Sequence, residues 1–89
     1  MSSVFIAFQK TEDVRGVVES ILEDNPSAVL KEQPAMVMIE APDLISIKRA
    51  TIEEKVGREY DLQELQVNLI TLSGHVDESD DEFNVSWKR

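Results

Sequence analysis

The only histidine of this 89-residue chain opens its densest acidic run, "SGHVDESDDEF" over residues 73–83. His75, Asp77, Glu78, Asp80, Asp81 and Glu82 carry the groups that bind metals or move protons. Calcium binding of the EF-hand type needs oxygen ligands at loop positions one, three and five, glycine at six and glutamate at twelve. Counted from Asp77, Ser79 and Asp81 fit, but Glu82 stands at six and Lys88 at twelve. The loop lacks both its turn residue and its bidentate ligand. A transition-metal site draws on several His or Cys side chains. Here there is one histidine and no cysteine, and consecutive acids point different ways. A diiron carboxylate site uses paired Glu-x-x-His motifs on helices, and the chain has none.

Nucleophilic chemistry is no better provided for. Ser73 and Asp77 flank His75 only locally, without a strand–turn–helix elbow around a Gly-x-Ser-x-Gly motif. Gly16, Gly57 and Gly74 are scattered and build no phosphate-cradling loop. Glu53 with Glu54, and Asp80 with Asp81, read as solvated neighbours rather than as an acid/base pair. No catalytic, cofactor-binding or metal-ligating residue is assigned, and the chain is not expected to be a catalyst on its own.

The elements around this run follow from periodicity. "VFIAF" (Val4 to Phe8) reads as a strand apolar on both faces. Val14, Val17, Val18, Ile21 and Leu22 form one helical stripe in "TEDVRGVVESILEDNP". Thr11 is the expected N-cap, Glu12 and Asp13 suit the positive dipole end, and Pro26 ends the helix. Gly16 within it costs up to about 1 kcal/mol against alanine, which predicts close packing there. "AVLKE" (28–32), "AMVMIE" (35–40) and "LISIKR" (44–49) read as three short strands in an antiparallel meander with prolines in its turns. Thr51 and Glu54 form a predicted capping box for a short helix that Gly57 ends in a left-handed cap. Asp61 and Glu64 repeat the device. Leu62, Leu65, Leu69 and Leu72 follow at helical spacing, although "VNLITL" could also leave the helix for a strand. "EFNVSW" alternates Phe83, Val85 and Trp87 as a half-buried closing strand. The expected order is β-α-β-β-β-α-α-β in a single α+β domain over residues 1–89, with antiparallel sheet packed against helices.

Composition limits the partners. Nine Lys and Arg against eighteen Asp and Glu give a net charge of −9, a field that repels phosphate backbones and anionic membranes. Neither nucleic acid nor membrane is expected as a partner. No apolar run approaches the roughly 18 residues of a membrane span. The N-terminus shows no basic leader or cleavage motif, so a cytoplasmic location is expected. A chain this short buries only about 60–65 % of its unfolded surface. There is room for one modest core, drawn from the 42 % hydrophobic residues, and little room for a deep active site.

Four stretches, "EDNPSAV", "EQPAMVMIEAP", "ATIEEKVGREYDLQELQVNLITLSGHVDESDDEF" and "VSW", carry a family resemblance. Through them the sequence closely resembles the effector, or regulatory, components of bacterial multicomponent phenol hydroxylases. These are relatives of the coupling proteins of soluble methane and toluene monooxygenases. The resemblance runs from Met1 to Arg89 and is most specific from Thr51 to Phe83. It implies a cofactor-free protein of aromatic hydrocarbon catabolism that binds the diiron hydroxylase component. There it reshapes the active site, stimulates oxygen activation and couples it to hydroxylation. A separate reductase with flavin and an iron–sulfur cluster completes such an NADH-dependent phenol 2-monooxygenase. The methane-oxidising relatives have a long tail before the first strand that this sequence does not show, and no role of that tail is carried over. Polar, small residues in the most family-like block place the expected docking face on the third helix and its following turn, at Asn68, Thr71, Ser73 and His75. Arg49 and neighbouring strand residues supplement it. The competing reading is a free-standing α+β adaptor or small-molecule-sensing domain.

Overall fold

A computed structural model describes residues 3–87. β1 (Ser3–Gln9) leads into α1 (Glu12–Asp24), then β2 (Val29–Gln33), β3 (Met36–Pro42) and β4 (Leu44–Lys48). α2 (Arg49–Val56) follows, then a 3-10 turn (Leu62–Glu64) running into the single-turn α3 (Leu65–Asn68). β5 (Leu69–Ser73), β6 (His75–Glu78) and β7 (Glu82–Ser86) complete the chain. The strands form two antiparallel sheets, ordered β2-β3-β1-β5 and β4-β7-β6. The α+β class and the expected order of elements hold, and β5 and β6 are added between the last helix and the closing strand.

One core lies between the two sheets and α1. Val4, Ile6 and Phe8 of β1 meet Ile39 of β3, Ile45 and Ile47 of β4, Phe83 and Val85 of β7, and the α1 stripe Val14, Val17, Val18 and Ile21. α1 begins after Thr11, as its cap position predicts, although the Thr11 hydroxyl makes no capping bond. A Cβ on Gly16 would stand 2.6 Å from Val56 Cγ1, so the absence of a side chain there lets α1 and α2 cross closely.

The predicted Thr51–Glu54 capping box does not form. α2 starts three residues earlier, at Arg49, with Lys48 in extended geometry at the cap position. The chain passes from β4 straight into the helix, and the Arg49 N–H donates to the Asp81 carbonyl at 2.9 Å. A neighbouring hairpin thus satisfies one of the first-turn amides that have no partner within the helix. Gly57 ends α2 as expected, with φ 77° and its N–H donating to the Glu53 carbonyl at 2.9 Å.

The Asp61–Glu64 box does form. The Gln63 N–H donates to Asp61 Oδ1 at 2.9 Å and the Asp61 N–H to Glu64 Oε2 at 3.1 Å. Helix persists only to Asn68, and "VNLITL" leaves it for β5. Leu69 and Leu72, three residues apart, oppose Phe8 and Ile6, which are two apart. The register shift between Ala7 and Phe8 absorbs the odd residue, Ile70, as a bulge. A helical spacing of leucines is thereby accommodated on one face of a strand.

The expected single strand at the C-terminus is a hairpin. β6 pairs with β7, His75 opposite Ser86 and Glu78 opposite Phe83. Phe83 and Val85 are buried, but Trp87, expected on the same half-buried face, is 53 % exposed beyond the end of β7. It lies one residue past Ser86, the last residue of β7 to pair with β6.

Candidate functional site: an uncharged sheet edge and the turn that leaves it

Twelve consecutive residues, Leu65 to Val76, carry no Asp, Glu, Lys or Arg in a chain that is 30 % charged. The fold turns this segment into α3, β5 and the first half of β6. β5 is the last strand of the four-stranded sheet, bonded to β1 on one side only. Edges of this kind are ordinarily protected by charge or proline, and neither is present.

Asn68, Thr71, Ser73 and His75 lie in succession along this segment. Asn68 closes α3 half-buried, and Thr71 is exposed opposite Ala7. Ser73 is half-buried opposite Phe5, and His75 opens β6 exposed. Between the last two, Gly74 takes φ 139° and carries the chain from one sheet to the other. A Cβ there would meet Val85 Cγ1 at 2.7 Å and both the Ser86 carbonyl oxygen and Val4 Cγ1 at 3.0 Å. The turn is therefore seated directly on β1 and β7, which fixes where Ser73 and His75 emerge.

Arg49 is not brought to this face. Lys48, just before it, pairs with Glu82, whereas His75 pairs with Ser86 at the other end of β7. Four residues of strand, about 13 Å, separate the two ends. The Arg49 side chain instead makes ion pairs with Asp81 (Nη2 to Oδ1, 3.3 Å) and Glu53 (Nε to Oε2, 3.7 Å). The same Glu53 carboxylate accepts from the Tyr60 N–H at 2.9 Å. Arg49 thus ties α2 to the β6–β7 turn at the end remote from His75.

The acidic run itself is divided. His75 and Asp77 project from one face of β6, and Val76 and Glu78 from the other. Ser79, Asp80 and Asp81 form the turn, with the Ser79 hydroxyl accepting from the Asp81 and Glu82 N–H groups at 3.4 and 3.2 Å. Among the described residues no group of three or more His, Asp or Glu side chains converges on a point where an ion could sit. An open groove of about 800 Å³ lies alongside, between Glu59, Asp61 and Glu64 on one bank and Glu78 and Asp80 on the other. On its rim Arg58 binds Glu64 at 3.0 Å, which raises the guanidinium pKa and lowers that of the carboxyl. Tyr60 beside them is 8 % exposed, and burial pushes its phenol up to about 12. Arg58 and Glu64 neutralise each other there, while Glu59, Asp61, Glu78 and Asp80 leave the groove acidic.

Exposed apolar side chains stand in and beside the uncharged segment. Val67 is 75 % and Ile70 47 % exposed at one end, with Trp87 and Leu44 (48 %) near the other. Polar residue types alone did not point to these four. For Val67 and Ile70 the length of the uncharged run is the signal in the sequence, whereas Leu44 and Trp87 look like ordinary strand residues until the register is known.

The MmoB/DmpM family matches residues 2–86. The chain is 51 % identical over 87 residues to the phenol 2-monooxygenase stimulatory component DmpM of Pseudomonas sp. (strain CF600), covering 98 % of this chain and 97 % of that protein. A chain in a solved phenol hydroxylase–regulatory protein complex superposes with a TM-score of 0.93 at 46 % identity, covering 98 % of this chain and all of the other. Regulatory protein B of soluble methane monooxygenase shares the fold at a TM-score of 0.76 and 18 % identity, with 97 % of this chain spanning 65 % of that one. On the match over residues 2–86 and the identity across nearly the full length of a relative, the chain belongs to the MmoB/DmpM family.

Proposed function

We propose that this chain is the regulatory component of a multicomponent phenol monooxygenase. It binds the diiron hydroxylase component and stimulates and couples oxygen activation and phenol hydroxylation. The observation that carries the reading is the 51 % identity to a phenol 2-monooxygenase stimulatory component over nearly the whole of both chains. It is supported by the fold shared with a chain of a hydroxylase–regulatory protein complex. The docking face is the uncharged edge through Asn68, Thr71, Ser73 and His75. Arg49 enters as an outlying contact about 13 Å along the second sheet.

A protein without reacting groups of its own can still change a rate. If it binds one conformation of the hydroxylase more tightly than another, it shifts the balance toward that conformation by the ratio of affinities. A difference of about 1.4 kcal/mol is already tenfold. A face with no charges suits this task, because docking it strands no ion in a dry interface. In this reading electrons reach the hydroxylase from a separate flavin and iron–sulfur reductase. The assembly works in the cytoplasm. Among the described residues no helix is long and apolar enough to cross a membrane.

The test is reconstitution. Purified hydroxylase and reductase from a phenol-oxidising system are assayed for NADH-driven phenol hydroxylation while the chain is titrated in. Saturable stimulation is the expected result. No stimulation of a competent pair would favour a free-standing adaptor.

A further inference from the structure

We propose that Trp87 is an apolar anchor of the hydroxylase interface, a contact beyond the polar face already described. This rests on the functional reading above and extends the same site. Trp87 is the only tryptophan of the chain, and it is 53 % exposed on a backbone that is held in place. Its N–H donates to the Asp43 carbonyl at 2.8 Å, and the preceding Ser86 is paired in register with both Leu44 and His75. The ring therefore projects from a fixed point rather than from a loose terminus.

Its position is continuous with the docking segment. It directly follows Ser86, which pairs with His75 at the end of the Ser73–Gly74–His75 turn. Leu44, 48 % exposed, borders the same end of the second sheet. Large aromatic side chains held on rigid backbone and left half in water are the residues that supply most of an interface's affinity. The net charge of −9 disfavours a second copy of the chain as the occupant. The exposed apolar surface of Trp87, with that of Leu44, suits an apolar recess on the hydroxylase.

The experiment measures hydroxylase binding by titration for the unaltered chain, Trp87→Ala, Trp87→Phe and Val29→Ala. Val29 is an equally exposed apolar residue (55 %) on β2, the far edge of the four-stranded sheet, and serves as the control. Trp87→Ala is expected to raise the half-saturating concentration about tenfold or more, with full stimulation recovered at saturation. Trp87→Phe should recover most of the affinity, and Val29→Ala should leave it unchanged. Hydroxyl-radical footprinting of the unaltered complex needs no variant to fold, and it should show Trp87 protected and Val29 not. Unchanged affinity in Trp87→Ala, equal loss in Val29→Ala, an unprotected Trp87, or self-association through Trp87 without hydroxylase would each overturn the inference. If the unaltered chain fails to bind at all, the functional reading falls. If it binds with Trp87 unprotected, only this inference does.

Discussion

Asn25 and Ser46 are joined by two hydrogen bonds that make one side chain act as a short strand. Asn25 Nδ2 donates to the Ser46 carbonyl at 2.7 Å, and the Ser46 N–H donates to Asn25 Oδ1 at 2.8 Å. β4 has β7 on one side only, so the amide occupies its other edge just where α1 ends. The same Nδ2 also donates to the Ile21 carbonyl at 2.7 Å, closing the helix. Asn25→Ala removes three bonds and leaves two groups of a covered strand unpaired. A loss of about 2–4 kcal/mol is expected in urea unfolding. Asn25→Asp sets a carboxylate oxygen against the Ile21 and Ser46 carbonyl oxygens and should cost at least as much at neutral pH.

Gly74 sets a second, different expectation. Its φ of 139° is open to glycine alone in practice, and a Cβ would press on the Ser86 carbonyl, which cannot move without breaking β7. Gly74→Ala should cost about 2 kcal/mol or more in thermal or urea unfolding. Because the residue lies between Ser73 and His75, hydroxylase stimulation should fall even at temperatures where the variant stays folded. A variant with unaltered stability would show that the sheet-to-sheet turn is not fixed as described.

Tyr60 gives the alkaline limit of stability. The folded protein holds its phenol at about 12, raised from 10.0 first by burial and then by the nearby Glu64 charge. A folded pKa above the unfolded one means that the unfolded chain loses its proton first. The contribution is therefore whole below pH 10.0 and is lost as pH climbs toward about 12. It is the only tyrosine, so ultraviolet absorbance of the phenolate follows it alone. Titration should shift to the ordinary range in strong urea, and Tyr60→Phe should flatten the fall of stability across that window. Titration of the folded protein near 10 would contradict the buried placement.

Much of this was legible in residue order. The α1 stripe from Val14 to Leu22, the Asp61–Glu64 box and the Gly57 cap are local devices, decided by side chains within one or two turns of each other. The departures are all decided by distant strands. Thr51 lost its cap position because Asp81, thirty residues on, satisfies the Arg49 amide first. Leu69 and Leu72 keep helical spacing in a strand because β1 offers a free edge and a bulge takes up Ile70. "HVDE" has a single apolar residue and no strand signal, and it is extended only because β7 pairs with it. Of the site, the segment from Asn68 to His75 could be read from its lack of charge and its small polar residues. The separation of Arg49 and the exposure of Trp87 could not, since both depend on which end of β7 each residue reaches.

The central claim is that the uncharged edge is where the hydroxylase binds. The most direct measurement is the titration of hydroxylase activity with an Asn68→Trp/Ser73→Trp double variant against the unaltered chain, alongside thermal unfolding of both. Bulk placed at those two points should weaken half-saturation by about tenfold or more while the melting curve stays close to that of the unaltered chain. Superimposable titration curves would contradict the claim and move the interface elsewhere on the domain.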